Sequence, residues 1–257
     1  MKESTDVTGD PVSKPFLEHL EDLRRTLFCC LIVLGIGVLV ALPLTPFILN
    51  LLKRPLVGLV ENIDQFLLSI EVAGAISVAF RISFWGGLLL SSPFLLFFLG
   101  SFIFPGLKTH ERKIVLQASA VATLLFFIGV AMGYFITLPV ALKVMFQLHE
   151  WIGVQMLPRV TNYVAFTTQL LIGFGFAFEM PVVVIILGRL GVLKSRQLRS
   201  KRRHVMVGLL IVAMLLTPPD IFTQLIMAIP LIILYEICIW VLWTTEKRKK
   251  EHENNRH

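Results

Sequence analysis

Residues 114–142 read IVLQASAVATLLFFIGVAMGYFITLPVAL and contain no charged side chain. A helix needs about 20 apolar residues to cross the hydrocarbon core of a bilayer, which is roughly 30 Å thick. No water is present in that core, so the backbone must satisfy its own hydrogen bonds, and an α-helix does this. The stretch therefore predicts a transmembrane helix, whose span we place at 114–136.

Five further apolar segments predict the same structure. The six predicted spans are 26–44, 72–100, 114–136, 161–188, 205–218 and 222–243. We expect an all-α integral membrane protein, with one transmembrane domain at 1–245 and a polar tail at 246–257. The fifth and sixth spans are short, and the apolar part of the fifth reaches only about 20 Å at 1.5 Å per residue. A re-entrant segment is the alternative to a full crossing there.

Composition agrees with this class of protein. The chain is 56% hydrophobic and 16% charged, with a mean hydropathy of +0.79. A water-soluble domain carries about 25% charged residues, so this chain has too little polar surface to coat a soluble globule. The net charge of +7 comes from basic blocks between apolar runs, which indicates membrane topology rather than a nucleic-acid partner.

The basic residues also predict the orientation of the chain. Of its 24 lysines and arginines, 19 fall in alternate segments at 1–25, 108–113, 189–203 and 247–256. Because cytoplasmic loops carry the excess of Lys and Arg, both termini are expected in the cytoplasm. The cytoplasmic segments would include an amphipathic N-terminal segment at 1–25 and the polar tail. Basic clusters before the fifth span and after the sixth favour a full hairpin.

Two long outer loops are expected between the spans, in addition to a tight outer turn after the fifth span. In the first, apolar residues recur at helical spacing from Leu56 to Ile70 with polar residues between them. This pattern predicts an amphipathic helix that caps the bundle or lies at the membrane interface. Residues 143–160 are expected to form the second outer loop, with Trp151 as an interfacial anchor.

Sequence signatures of enzymes are absent. The chain has no phosphate-cradling glycine loop, no HExxH zinc motif and no GxSxG nucleophile motif, so we expect neither catalysis nor a cofactor. Its cysteines, Cys29, Cys30 and Cys238, all lie in apolar segments without metal-ligand spacing. We interpret them as small buried hydrophobic residues and predict no metal site.

Glu179 is the least expected residue in the predicted spans. An ionised carboxylate within the membrane costs several kcal/mol, so Glu179 must be protonated, paired or in contact with water. It could form a structural hydrogen bond, contact a substrate or partner helix, or relay protons. Pro181, two residues later, weakens the helix and frees a backbone carbonyl nearby. Glu236, in the sixth span, is expected to make a structural hydrogen bond to a neighbouring helix.

The predicted cytoplasmic surface also carries acidic residues. Glu18, Glu21 and Asp22 lie in the N-terminal segment, and Glu111 lies in the first inner loop. For Glu18 and Glu21, solvated charge is the preferred interpretation. Asp22 and Glu111 could instead form a site for a basic ligand, because carboxylates pair with arginine in bidentate geometry.

Four motifs, in order, resemble the TatC family, the multispan core of the twin-arginine protein translocase. Residues 19–24, HLEDLR, are similar to the family's HLxELR signature, and residues 102–112 to its FxxPGLxxxER loop. Residues 178–181, FEMP, match its FExP motif, and residues 215–220, LLTPPD, match its LLTPPD turn with Gln224 following. The resemblance covers nearly the whole chain.

The resemblance implies a function in protein export. Members bind twin-arginine signal peptides of folded cargo and organise single-span subunits of the TatA and TatB type for transport driven by the proton-motive force. It implies a multi-pass protein of the bacterial cytoplasmic (inner) membrane, in contact with lipids and with other copies of itself. No nucleic-acid partner is implied.

The resemblance also implies roles for individual residues. The signal-peptide-binding residues would be Glu111, Asp22, Phe102, Pro105 and Arg24. Glu179 would line the concave membrane face, and partner helices would dock near three residues of the last two spans, Met214, Thr217 and Gln224.

In one position the sequence departs from the family pattern. The position of Asp22 is usually Glu, so its carboxylate has a shorter reach and Glu111 is the stronger candidate.

An alternative function from the residues alone is a proton-coupled small-solute transporter that uses Glu179. A scaffold without a ligand is a third hypothesis.

Overall fold

The structure is a computed structural model, and it describes residues 16–57, 59–60, 67, 73–103, 112–154, 158–189, 193–216 and 221–254. Throughout these ranges the regular structure is helical. The α-helices are α1 (Phe16–Ala41), α2 (Thr45–Lys53), α3 (Gly74–Ile103), α4 (Arg112–Met132), α5 (Leu138–Trp151), α6 (Val160–Ala177), α7 (Met180–Arg189), α8 (Ser195–Ser200), α9 (Arg202–Leu216) and α10 (Ile221–Asn254). A 3₁₀ turn (Arg54–Leu56) follows α2, and a π-helical turn (Gly133–Thr137) joins α4 to α5.

Five helical segments of the described chain are long and apolar enough to cross a membrane. They are Leu20–Ala41, Gly74–Phe102, Leu116–Trp151, Val160–Gly188 and Met227–Lys247. Helix α9, which contains most of the predicted fifth span, has only 15 residues. The sixth span was expected to be short, but the helix that contains it, α10, has 34 residues.

Helices α1 and α3 form an antiparallel pair. The Ser91 hydroxyl donates a hydrogen bond to the Val33 carbonyl oxygen at 3.0 Å. One turn further along α1, Gly37 faces Gly87: a Cβ added at Gly37 would lie 2.6 Å from the Gly87 carbonyl oxygen. Small residues thus let the two backbones approach closely, as is usual where membrane helices cross.

Helices α4 and α6 also meet at glycines. A Cβ added at Gly129 would lie 2.6 Å from the Phe174 carbonyl oxygen, and one at Gly133 would lie 3.3 Å from the Phe174 Cβ. From α6, Gly175 faces the ring of Phe126, which is itself almost wholly buried. Gly129 and Gly133 lie four residues apart on one face, the small-xxx-small arrangement of close helix pairs.

The helix that contains the third span continues through the first part of the expected outer loop, as far as Trp151. Pro139 has no N–H to donate, and the π-helical turn at Gly133–Thr137 lies just before it. Such a turn can accommodate a lost hydrogen bond without ending the helix. Beyond it, α5 buries Leu138, Ala141 and Leu142. The apolar face of α5 therefore keeps the segment helical as far as Trp151.

Two tyrosines hold α2 against the bundle. The Tyr134 hydroxyl donates to the Leu51 carbonyl oxygen at 2.7 Å, and the Tyr163 hydroxyl donates to the Leu52 carbonyl oxygen at 2.5 Å. The amphipathic helix expected from Leu56 to Ile70 falls mostly outside the described residues.

The largest cluster of buried residues draws on the first, middle and last thirds of the chain. Its largest fully buried members include Leu56, Ile82, Leu138, Leu142, Leu170, Phe174, Met227, Leu231, Tyr235 and Ile239. Helix α10 lies along this cluster and continues as far as Asn254, into the segment expected to be a polar tail. Acidic and basic residues alternate at helical spacing there, since Glu246 and Lys247 precede Lys250 and Glu251 by four residues. Pairs at that spacing stabilise a helix that has no apolar face to bury.

Candidate functional site

The α1–α3 pair brings two of the expected signal-peptide residues to one end of the molecule. Asp22 precedes the Val33–Ser91 contact by about three helical turns of α1, and Phe102 follows it by the same length of α3. Because the helices are antiparallel, both residues lie at the end where α1 begins and α3 ends. Both side chains are half-buried.

Arg24 lies one turn closer to the middle of α1 than Glu21. Its guanidinium carbon lies over the ring of Phe28, 5.7 Å from the ring centroid. A cation above an aromatic face is attracted by the ring quadrupole. Arg24 is therefore directed along its own helix, beside Asp22 in sequence and on the exposed surface.

Pro105 and Glu111 fall outside the described residues, which break off after Ile103 and resume at Arg112. The described structure thus places Asp22, Arg24 and Phe102 at one end of the α1–α3 pair, and it leaves the two loop residues as predictions.

Glu179 lies at a break between two helices. Helix α6 ends at Ala177, helix α7 begins at Met180, and the turn between them holds Phe178 and Glu179. Pro181, at the second position of α7, cannot donate a hydrogen bond to the last turn of α6, which explains why the helix breaks there. The break also lets the backbone of Phe174 and the ring of Phe178 pack against Gly129.

The Glu179 carboxyl group is half-buried, and its Oε1 atom is buried without a hydrogen-bond partner among the described residues. A buried carboxyl oxygen without a partner costs free energy, so the group is available to a polar group that another molecule supplies.

The expected partner-docking residues lie on the α9–α10 hairpin. The Gln224 side chain donates from Nε2 to the Leu210 carbonyl oxygen at 3.0 Å and so ties the start of α10 to α9. Met214, near the end of α9, is 51% exposed. Thr217 falls among residues 217–220, outside the described part of the chain.

Glu236 makes the structural contact expected of it. Arg202 Nη2 donates to Glu236 Oε2 at 2.7 Å and joins the start of α9 to the middle of α10. The Tyr235 hydroxyl, one residue earlier, donates to the Leu198 carbonyl oxygen of α8 at 2.8 Å. The prediction for Glu236 is confirmed. Its partner could not be named from the sequence, because seven basic residues lie at 189–203, before the fifth span.

Sequence reasoning missed a second set of contacts on α8. The Ser195 backbone N–H donates to Glu246 Oε1 at 2.8 Å, and the Ser195 hydroxyl donates to Glu246 Oε2 at 2.5 Å. These bonds fix the first turn of α8 on α10. The only indication in the sequence was that Glu246 is the first acidic residue of a strongly basic segment.

Among the described residues, no group of three or more His, Cys, Asp or Glu side chains could hold a metal ion. Cys238 is buried, whereas Cys29 and Cys30 are only half-buried. The reading of all three as buried hydrophobic residues therefore holds for Cys238 alone.

These features define a class of protein. The chain is helical and multi-pass, and its distinctive polar groups lie at helix ends, at a helix break and on a short hairpin. The fold and these sites therefore define a multi-pass helical membrane protein whose polar groups lie where another peptide or helix can reach them.

The comparisons with known proteins identify the family within that class. Residues 18–230 match the family model described as "Sec-independent protein translocase protein (TatC)". The chain is 33% identical to the Escherichia coli (strain K12) Sec-independent protein translocase protein TatC over 228 residues, which cover 89% of this chain and 88% of that protein. It is 36% identical to the Carboxydothermus hydrogenoformans protein of the same name over 227 residues, 87% of this chain and 90% of that protein.

Solved structures agree. A crystal structure of the twin-arginine translocase receptor TatC matches with a TM-score of 0.79 and 32% identity, covering 87% of this chain and 98% of that one. The chain belongs to the TatC family. It is accordingly a non-enzymatic protein-transport component, a multi-pass protein of the inner membrane.

Proposed function

We propose that this protein is the receptor core of a twin-arginine translocase. It binds the twin-arginine signal peptides of folded proteins at its cytoplasmic face and organises single-span subunits of the TatA and TatB type. Similarity to the twin-arginine translocase receptor over nearly the whole chain carries this proposal.

The proposed topology has six spans, with both termini in the cytoplasm. The five long apolar segments supply five crossings, and α9 supplies the sixth. Its 15 residues extend about 22 Å, so the bilayer must thin around it. The single transmembrane domain would run from 1 to 245. The distribution of Lys and Arg supports this orientation.

The proposed signal-peptide site lies at the end of the molecule where α1 begins and α3 ends. Asp22 and Glu111 would accept hydrogen bonds from the two arginines, since a carboxylate can accept two parallel bonds from one guanidinium. Phe102 and Pro105 would contact the apolar part of the peptide, and Arg24 would complete the set of signal-peptide-binding residues. Asp22 and Phe102 lie at the same end of the antiparallel α1–α3 pair, which supports this arrangement.

Partner helices would dock on the α9–α10 hairpin near Met214, Thr217 and Gln224. Helix α9 is short, with 15 residues. Exposed apolar side chains continue along α10, where Leu225 and Ile229 are each more than half exposed. A membrane helix gains no hydrophobic free energy on leaving lipid, so close packing and hydrogen bonds must hold it. Gln224 offers such a hydrogen bond.

Glu179 would contact a partner or the peptide at the membrane face during transport driven by the proton-motive force. Its Oε1 atom, buried without a partner among the described residues, supports a role in contact with another molecule.

Site-specific photocrosslinking tests the signal-peptide site. A photoreactive phenylalanine analogue is placed at Phe102, and a matched control places it at Phe80, which is 66% exposed at the opposite end of the same helix. We expect a twin-arginine peptide to crosslink from position 102 and not from position 80. Crosslinking should be lost when the peptide carries Lys-Lys or when the protein carries Glu111→Gln.

The charge control is Glu21→Gln, which removes an exposed carboxylate from the same helix as Asp22 and should leave crosslinking intact. Equal crosslinking from positions 102 and 80, or full crosslinking in Glu111→Gln, would contradict the proposed site.

A further inference from the structure

Trp243 lies beside two cations where the last helix leaves its apolar span. The Arg199 guanidinium carbon lies 5.9 Å from the centroid of the indole ring, and the Lys247 ammonium nitrogen lies 6.0 Å from it. Arg199 belongs to α8, and Lys247 lies one helical turn beyond Trp243 on α10. The indole thus holds two positive groups from separate helices at one place, which we call the Trp243 cluster.

The position of Arg199 in this cluster is fixed by the contacts of α8. At the first residue of α8, Ser195 donates two hydrogen bonds to the Glu246 carboxylate. One residue before Arg199, the Leu198 carbonyl oxygen accepts a hydrogen bond from Tyr235 at 2.8 Å. Both ends of this short helix are therefore held on α10, so Arg199 stays beside Trp243.

The Trp243 cluster is surrounded by positive charge. Residues 194–203 contain six Lys or Arg and no acidic residue, and residues 247–250 are all basic. Of the two acidic residues near the cluster in sequence, Glu246 directs both its oxygens at Ser195, and Glu251 lies one helical turn beyond Lys247. An anion that approaches the cluster would therefore meet attraction from several cations at short range.

Directly beside the cluster, the surface becomes apolar. Trp243 is 41% exposed, Trp240 is 62% exposed and Ile237 is 48% exposed, and they follow one another at three-residue intervals on α10. Residues three apart on a helix are neighbours. Because Met227–Lys247 is one of the apolar segments able to cross the membrane, these side chains adjoin hydrocarbon while the cations lie at its edge.

We propose that the Trp243 cluster binds the headgroup of an anionic phospholipid, whose acyl chain lies along Trp240 and Ile237. The headgroup phosphate would lie between Arg199 and Lys247. The cations beside the indole match the anionic headgroup, and the apolar side chains along α10 match the acyl chain. The proposal requires that α10 crosses the membrane, and it does not depend on the signal-peptide site.

Quenching by brominated lipid tests this site in the full chain. Trp85→Phe, Trp151→Phe and Trp240→Phe leave Trp243 as the sole tryptophan of the four. The protein is reconstituted into phosphatidylcholine bilayers that contain a small fraction of brominated phosphatidylglycerol or, separately, the same fraction of brominated phosphatidylcholine. We expect about 30-fold preferential contact with phosphatidylglycerol, because each of the two cations beside an anionic headgroup contributes about 1 kcal/mol and their sum corresponds to that ratio.

The variants then separate the cluster from general surface charge. Arg199→Gln with Lys247→Gln should reduce the preference to about one, since each cation contributes its own attraction. Arg196→Gln with Lys201→Gln removes the same charge from exposed positions in and just after α8 and should preserve it. If the first pair does not fold, the single variants Arg199→Gln and Lys247→Gln should each show an intermediate preference.

Three results would overturn the proposal. They are equal quenching by the two lipids, equal loss of preference in both pairs of variants, and displacement of the brominated lipid by millimolar inorganic phosphate. The last result would assign the cluster to a free anion. Because no peptide is present, failure here would leave the proposed receptor function untouched, and failure of peptide crosslinking would leave the lipid site untouched.

Discussion

Two helix interfaces in this protein are held together in different ways. Where α4 meets α6, glycines bring the backbones into contact: Gly129 faces the Phe174 carbonyl, and Gly175 faces the Phe126 ring. Where α9 meets α10, side-chain hydrogen bonds make the connection, from Arg202 to Glu236 and from Gln224 to the Leu210 carbonyl.

The difference follows from helix length and from the solvent. In a bilayer, leaving lipid gives no hydrophobic gain, so helices associate through close packing or through hydrogen bonds. Helix α6 has 18 residues and can bury a continuous face against α4, but α9 has only 15 and exposes Val207, Ile211 and Met214. The short hairpin therefore depends on polar contacts, and polar contacts can be exchanged with a partner.

The largest effect is expected from a methyl group at the glycine interface. Gly129→Ala places a Cβ 2.6 Å from a backbone oxygen, so the helices must separate. We expect a loss of about 2 kcal/mol in the free energy of unfolding, as overpacking usually costs. Thermal unfolding in mild detergent measures this loss. The readout is the reaction of a thiol dye with Cys238, which is buried in the folded protein, in a Cys29→Ala, Cys30→Ala background.

The matched control is Gly208→Ala in α9. A Cβ added there meets nothing within 4 Å, so the variant should be neutral or slightly stabilising through the better helix propensity of alanine. If Gly208→Ala destabilised as much as Gly129→Ala, the contrast between the two interfaces would be wrong.

Breaking the ion pair should have a smaller effect. Arg202 and Glu236 have side chains that are 43% and 39% exposed, so screening limits the loss in Glu236→Gln to about 1 kcal/mol. The double variant Arg202→Gln, Glu236→Gln should lose less than the sum of the single variants. Strictly additive losses would show that the two groups do not interact. Arg203→Gln serves as the exposed control.

The smallest effect on stability is expected at Gln224. Gln224→Leu removes one hydrogen bond to the Leu210 carbonyl, which contributes about 0.5–1 kcal/mol. The exposed Gln147→Leu should change stability less. Because we place Gln224 at the docking surface for single-span partners, the same variant should weaken co-purification of those subunits more than it weakens the fold. A loss of stability with undiminished co-purification would limit Gln224 to a structural role.

Much of the fold could be predicted, because apolar length alone determines where a helix can cross a membrane. The family was also predictable, since HLEDLR, FEMP and LLTPPD are specific when they occur in order, and the family model confirms it. Helix continuity was harder to predict: we placed the third span at 114–136 and a polar tail at 246–257, whereas the helices continue to Trp151 and Asn254.

Pairings between distant side chains could not be predicted. Glu236 needed a partner, but any of the basic residues at 189–203 could have supplied it, and the choice of Arg202 depends on how α9 packs against α10. The same holds for Ser195 with Glu246 and for Trp243 with its two cations. A single sequence shows which side chains need a partner, whereas three-dimensional packing determines which partner they find.

The central claim is that carboxylates at the cytoplasmic face select the arginine pair of a signal peptide. It is tested most directly by the affinity of the purified protein for twin-arginine and twin-lysine peptides, before and after Glu111→Gln. Charge-assisted bidentate bonds of about 1.5–3 kcal/mol predict at least a tenfold preference for the arginine peptide, and we expect Glu111→Gln to abolish it. An unchanged preference in Glu111→Gln would contradict the claim.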